Sequence, residues 1–221
     1  CILGHWPEFQ CHDGKTKQAE WTAPGATADW RLSRDWACHG EALFRRWLAR
    51  DYTWGEPQTL PRTAIYHPHK ANPRLNDWQK DWHADWPVAA VLFYRSHLQA
   101  ANTGFIDVFC QRLQAAGLNP LPMAVASLKE PGCLTVVEDL LDEVGAAVIL
   151  NTTGFAQSSP EAPHLRPFRR NIPVIQAICA QDNQPGWQAS EQGLGPRDLA
   201  MHIALPELDG RIISRPISFK D

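Results

Sequence analysis

Arg95, Ser96 and His97 stand directly after VAAVLFY (88–94), an unbroken apolar run. An imidazole in that position can act as an acid or base, ligate a metal, or simply bond the backbone of its own loop. Other polar groups close or follow apolar runs in the same way. Ser127 and Lys129 come at the end of LPMAVAS (121–127), Asn151, Thr152, Thr153, Gly154 and Phe155 at the end of AAVILN (146–151), and Gln181 and Asp182 after IPVIQAI (172–178). Amides and hydroxyls with few charges suit a neutral, amide-bearing or carboxylate-bearing ligand better than a dinucleotide. Glu207 and Asp209, in LPELDG, are either turn residues after Pro206 or a pair of oxygen ligands able to hold or hand over a divalent cation. His67 and His69 in YHPHK could bind a metal, but two imidazoles do not make a site, and a solvated loop is the plainer expectation. His202 lies among Ala200, Met201, Ile203 and Ala204 and reads as a satisfied buried histidine.

The common phosphate-binding and hydrolase signatures are missing. No GxGxxG follows the first apolar run, and neither GxxxxGK[ST] nor GxSxG occurs anywhere. Nucleotide binding and α/β-hydrolase chemistry are therefore not expected of this chain.

A scaffold must bring these groups to one place, and the spacing of the apolar runs supplies it. A helix is expected from about Asn102, with Phe105, Ile106, Phe109, Leu113 and Ala116 on one face and a stop at Gly117. Thr135 is expected to cap a second helix whose stripe is Val136, Val137, Leu140, Leu141 and Val144. Four short apolar runs separated by helices of this length read as βαβ units around a parallel sheet covered on both faces. The fold class is α/β: a Rossmann-like or flavodoxin-like parallel sheet flanked by helices, preceded by a Trp-rich, less regular segment. PRDLAMHIALPELDG reads as a short helix capped near Gly195-Pro196 and broken at Pro206, followed by a strand RIISRPISF. In such sheets ligands bind at the carboxyl ends of the strands, where the groups named above collect.

Composition changes near Pro87. Nine of the ten tryptophans (Trp6, Trp21, Trp30, Trp36, Trp47, Trp54, Trp78, Trp82 and Trp86) precede it. Two regions are expected: a Trp-rich segment over 1–86 whose indoles pin loops onto the core, and an α/β domain over 87–221. Within the first, Leu43, Phe44, Trp47 and Leu48 mark one amphipathic helix in ACHGEALFRRWLARDY. A net charge of −3 with a pI near 6.3 does not suggest a nucleic-acid surface. The chain has no apolar run of bilayer length, and its start lacks a signal peptide's basic and apolar regions. The six cysteines form no CxxC pair and read as reduced thiols of a cytoplasmic protein. A chain that begins at Cys1 without an initiator Met is expected to be a piece of something longer.

Four stretches, in order, resemble one family. FYRSHLQAANTGFID, NPLPMAVASLKEP, AAVILNTTGFA and PRDLAMHIALPELDGRIISRPISFK are similar to segments of the large subunits of metal chelatases of the CobN and magnesium chelatase H type. The agreement covers about 88–220, and the last stretch is the most specific. SFK after LPELDGR, and Asn-Thr rather than Gly-Asp at 102–103, resemble the cobalt-inserting branch.

The resemblance implies an enzyme, a ligase forming nitrogen–metal bonds: ATP-dependent insertion of Co2+ into the corrin ring of hydrogenobyrinic acid a,c-diamide during cobalamin biosynthesis. It implies AAA+ ATPase subunits as partners that use ATP with Mg2+, and no ATP site in this fragment, which alone is expected to be inactive. Glu207 is then the first candidate for metal delivery or proton acceptance, His97 the second catalytic candidate, and Asp209 a further metal ligand. Arg95 and Arg215 would pair ring carboxylates, and Asn102, Thr103, Asn151 and Thr152 would bond ring amides. The alternatives are the large subunit of a magnesium chelatase acting on protoporphyrin IX, or a non-catalytic binding or scaffold module of the same subunit.

Overall fold

The central strand β2 (Val88–Tyr94) consists of seven residues that can be covered on both faces, and all but Tyr94 are buried. The computed structural model describes residues 60–70, 72–158 and 167–220. The helix expected within 37–52 lies outside them, as do Cys1, Cys11 and Cys38. Parallel to β2 on one side runs β3 (Asn119–Val125), on the other β4 (Val148–Asn151). Beyond β4 come β5 (Val174–Cys179) and β6 (Ile212–Ser218), both parallel, the last pair with register shifts near Ile178. A short strand, β1 (Thr63–Ile65), closes the other edge antiparallel to β3. The sheet is therefore mixed and mostly parallel, in the order β1-β3-β2-β4-β5-β6. Its five parallel strands follow the flavodoxin-like order 2-1-3-4-5, whose direction of winding reverses between β2 and β4.

β3 carries Pro120 and Pro122, residues that central strands exclude because they cannot donate to a ladder. They are tolerated because β1 pairs only with Met123–Val125, so that among the described residues no strand covers the first half of β3 on that side. The proline carbonyls are used instead: Tyr66 N–H donates to Pro122 O at 2.9 Å and the Trp82 indole to Pro120 O at 3.2 Å. Asn119 ties the same edge to the backbone of His83 and Trp86. Leu60, Tyr66, Leu75 and Trp78 join the same core as the sheet, so 60–86 contribute to it directly. The helix α1 (Leu75–Gln79) delivers Trp78, whose indole N–H reaches Tyr66 O at 2.6 Å.

Behind β2 come α2 (Arg95–Gln99) and α3 (Gly104–Ala115), the latter burying Ile106, Cys110 and Leu113. α4 (Pro131–Glu143) starts four residues before the expected cap at Thr135, because Pro131 presets the helical φ at the first position. Thr135 sits inside the helix, its hydroxyl donating to Pro131 O. α4 buries Cys133, Val137 and Leu141, whereas Val136 stays exposed. α5 (Gln184–Ala189) was not expected and is capped by Asn183, which accepts from Gly186 N–H.

The expected break at Pro206 does not occur. α6 (Pro196–Leu199) runs through a π turn (Ala200–Ala204) into α7 (Leu205–Leu208). A proline lacks the N–H for an i→i−4 bond and crowds the carbonyl there; the wider π turn before it makes room. Among the described residues, no helix is long and apolar enough to cross a membrane.

Candidate functional site

The reversal between β2 and β4 puts the end of VAAVLFY beside the end of VILN. Thr152 joins them twice: its N–H and its hydroxyl both donate to Leu92 O, at 2.8 and 3.0 Å. The Tyr94 hydroxyl then accepts Gly154 N–H at 3.0 Å and Phe155 N–H at 3.4 Å.

From the other side, the LPELDGR segment clasps the same loop. Arg211 donates to Thr153 O and Gln176 Oε1 through Nη1, and to Phe155 O and Asp209 Oδ2 through Nη2, all within 2.6–3.0 Å. Asp209 accepts from Gln157 N–H and Ser158 N–H at 2.8–3.0 Å. Asn151 and Gln176 complete the set, bonding each other and Thr153 O. Burial pushes the Asp209 carboxyl up, but the two backbone donors and the Arg211 charge outweigh it and leave it below the ordinary range. Burial lowers Arg211, against the pull of Asp209.

Helix endings explain why these residues sit where they do. After α7, Gly210 takes φ +67°, Gly210 N–H bonds Glu207 O and Arg211 N–H bonds Pro206 O. This is a Schellman ending, and it reverses the chain so that Asp209 and Arg211 both face inward. The same pattern of bonds closes α2, where Ala101 N–H reaches Leu98 O and Asn102 N–H reaches His97 O. There the left-handed position is held by Ala101, at φ 51°, instead of a glycine.

The residues singled out in the sequence fall into three environments. Asn151 and Thr152 are buried and spend their polar atoms on Thr153, Gln176 and Leu92. Asp209 is also buried, with both oxygens engaged as described. His97 is half-buried, its ring edge-on to Phe105 at 4.9 Å, and burial lowers its pKa against a backbone hydrogen bond at Asn102. Arg95 is half-buried and donates to Leu60 O at 3.1 Å. Thr103 lies 2.9 Å from the Tyr66 hydroxyl. Asn102, Glu207 and Arg215 are exposed, on the α2–α3 turn, α7 and β6 respectively.

Two histidines differ from expectation. His67 is buried rather than solvated, its ring 4.8 Å from that of Trp78 and its Nδ1 accepting His69 N–H. His202 is buried as expected, yet its Nδ1 has no partner, and neither has Oδ1 of the buried Asp198 on the same helix. Among the described residues, no three His, Cys, Asp or Glu side chains converge to hold a metal ion. Cys110, Cys133 and Cys179 are free thiols, and burial pushes Cys110 and Cys179 up to about 12.

The CobN/Magnesium Chelatase family profile matches residues 37–221. The chain belongs to that family. It is 62% identical over 196 residues to the aerobic cobaltochelatase subunit CobN of Pseudomonas aeruginosa, covering 86% of this chain and 16% of that protein. The magnesium-chelatase H protein of Rhodobacter capsulatus, a subunit of that enzyme, is 30% identical over 163 residues, covering 70% of this chain and 13% of that protein. Among solved structures, the catalytic subunit of cobaltochelatase from Mycobacterium tuberculosis matches with a TM-score of 0.63 at 26% identity, over 95% of this chain and 18% of that one. The chain thus spans less than a fifth of the length of each of these proteins.

In this CobN/magnesium chelatase chain, Tyr94, Gln176, Arg211 and Phe155 organise the strand ends, yet the sequence pointed only to Phe155 as a strand-end residue and gave the other three no role. One signal was present: a glutamine inside the apolar run IPVIQAI and an arginine just after a helix-ending glycine are two polar residues that a buried network requires. Gly154 carries another. A Cβ there would stand 3.0 Å from the Met201 carbonyl oxygen, so the loop packs directly on the π turn.

Proposed function

We propose that this chain is part of the macrocycle-binding subunit of a cobaltochelatase, which inserts Co2+ into hydrogenobyrinic acid a,c-diamide while separate AAA+ subunits use ATP with Mg2+. The observation that carries the reading is the 62% identity to a CobN subunit over 86% of the chain, against 30% for a magnesium-chelatase relative. Insertion removes ring N–H protons and strips water from the incoming Co2+, so an accessible base or oxygen ligand is needed near the ring. Glu207 fits that need best, being exposed at the end of α7. His97, partly shielded and biased toward the neutral imidazole, is the second candidate for a proton acceptor. Asp209 serves by fixing the loop, its oxygens being already engaged. Arg95 and Arg215 are proposed to meet ring carboxylates, and Asn102 and Thr103 ring amides. Asn151 and Thr152 act through the shape of the loop they build. The setting proposed is the cytoplasm.

The test is titration of hydrogenobyrinic acid a,c-diamide and of protoporphyrin IX, separately, into the subunit that contains this chain, followed by absorbance. A spectral shift with the corrin and cobalt insertion on adding the ATPase subunits are expected. A shift with protoporphyrin alone would overturn the cobalt assignment.

A further inference from the structure

Residues 151–158 reverse the usual relation between polarity and burial. Asn151, Thr152, Thr153, Gly154, Ala156 and Ser158 are buried, while the one exposed residue of the run is its largest apolar side chain, Phe155, at 57%. The position is not loose. Phe155 N–H donates to the Tyr94 hydroxyl and Phe155 O accepts from Arg211, so both of its peptide groups are held. The flanking peptides are held too, through Gly154 N–H, Thr153 O, Gln157 N–H and Ser158 N–H. A buried ion pair such as Arg211–Asp209 contributes little net stability over apolar packing; here its two members hold the peptide groups of the loop. What is fixed here is the backbone from which one exposed aromatic side chain projects at the reversal point of the sheet, where flavodoxin-like folds bind ligands.

We propose that Phe155 is a contact surface for the conjugated face of the macrocycle, with Tyr94 and Arg211 as the residues that position its backbone. This rests on the reading of the chain as part of a macrocycle-binding subunit. With its backbone held before binding, the residue has only its side-chain rotation to lose when the ligand arrives, so more of the contact is expressed in affinity. Aromatic contact also suits a ligand whose faces are apolar and whose polar groups lie on its rim.

The test uses the whole subunit and hydrogenobyrinic acid a,c-diamide, with the dissociation constant read from absorbance and folding from circular dichroism. Phe155→Ala is expected to weaken binding by about 5- to 10-fold, the range an aromatic contact supplies. Phe155→Tyr should bind within about twofold of the parent, as should Val108→Ser, which removes a similarly exposed apolar residue from α3. Tyr94→Phe keeps its ring but loses the acceptor for Gly154 and Phe155, and should weaken binding less than Phe155→Ala. A parent that binds the corrin while Phe155→Ala binds equally well would overturn the contact and leave the proposed function standing. A parent that binds no macrocycle would overturn both.

Discussion

Arg211 Nη2 lies 2.6 Å from Asp209 Oδ2, with 1% and 0% of the two side chains exposed, and between them they hold the peptide groups of one loop at Thr153, Phe155, Gln157 and Ser158. Removing the cation alone would strand the carboxylate. Arg211→Met is expected to destabilise the chain by about 3–5 kcal/mol, and the double variant Arg211→Met/Asp209→Leu by clearly less. Urea unfolding of both variants beside the parent measures the difference.

The contact of Gly154 with the π turn predicts a second sensitivity. Gly154→Ala places a methyl group against the Met201 carbonyl, which belongs to backbone and cannot swing aside. A cost of about 1–3 kcal/mol is expected, read from the same unfolding transition.

Ala101 offers the opposite change. Its left-handed conformation is one that glycine adopts freely, so Ala101→Gly should stabilise by about 0.5–1 kcal/mol despite the added freedom of the unfolded chain. A lower midpoint in the variant would contradict the geometry of that turn.

Acid should destabilise in two stages. Burial lowers His67, His97 and His202 below their ordinary 6.5, the Lys70 charge adding to the effect at His67. The unfolded chain therefore takes up protons first, and stability conferred by the neutral rings is lost as pH falls from about 6.5 through their folded values. Asp209 is also lowered, so its contribution is present above about pH 4 and disappears as pH falls through its folded value. Unfolding free energy measured from pH 8 to 3 should show both declines. In His202→Gln part of the first should be absent.

If Glu207 accepts a proton or passes on the metal, Glu207→Gln in the assembled chelatase should lower the rate of cobalt insertion by about 10²- to 10⁴-fold. Macrocycle affinity should change little. An unchanged insertion rate would remove Glu207 from the reaction.

The parallel strands were legible because continuous apolar runs have few other uses. β1 was not: Thr63–Ile65 is too short to show a period, and it exists only because β3 offers an edge. Pro206 reads as a helix breaker in any local pattern, and the π turn that accommodates it shows itself only in the structure, where Met201 packs on Gly154. At the site, the strand ends were found from apolar runs, but the direction of each side chain was not. A sequence does not separate an asparagine bonded within its own loop from one presented to a ligand, and Asn151 turns inward. Arg211 was overlooked because an arginine after Asp-Gly resembles a solvated turn until Gly210 is seen to reverse the chain.

One proline of the sheet has a consequence for solubility. Pro216 lies in β6, which has a neighbour on one side alone within the described sheet. A proline cannot donate to an incoming strand, so at that position this flank of the described sheet resists edge-to-edge pairing between copies. Replacing Pro216 with valine should therefore show itself first as aggregation at high concentration, before any change in chemistry.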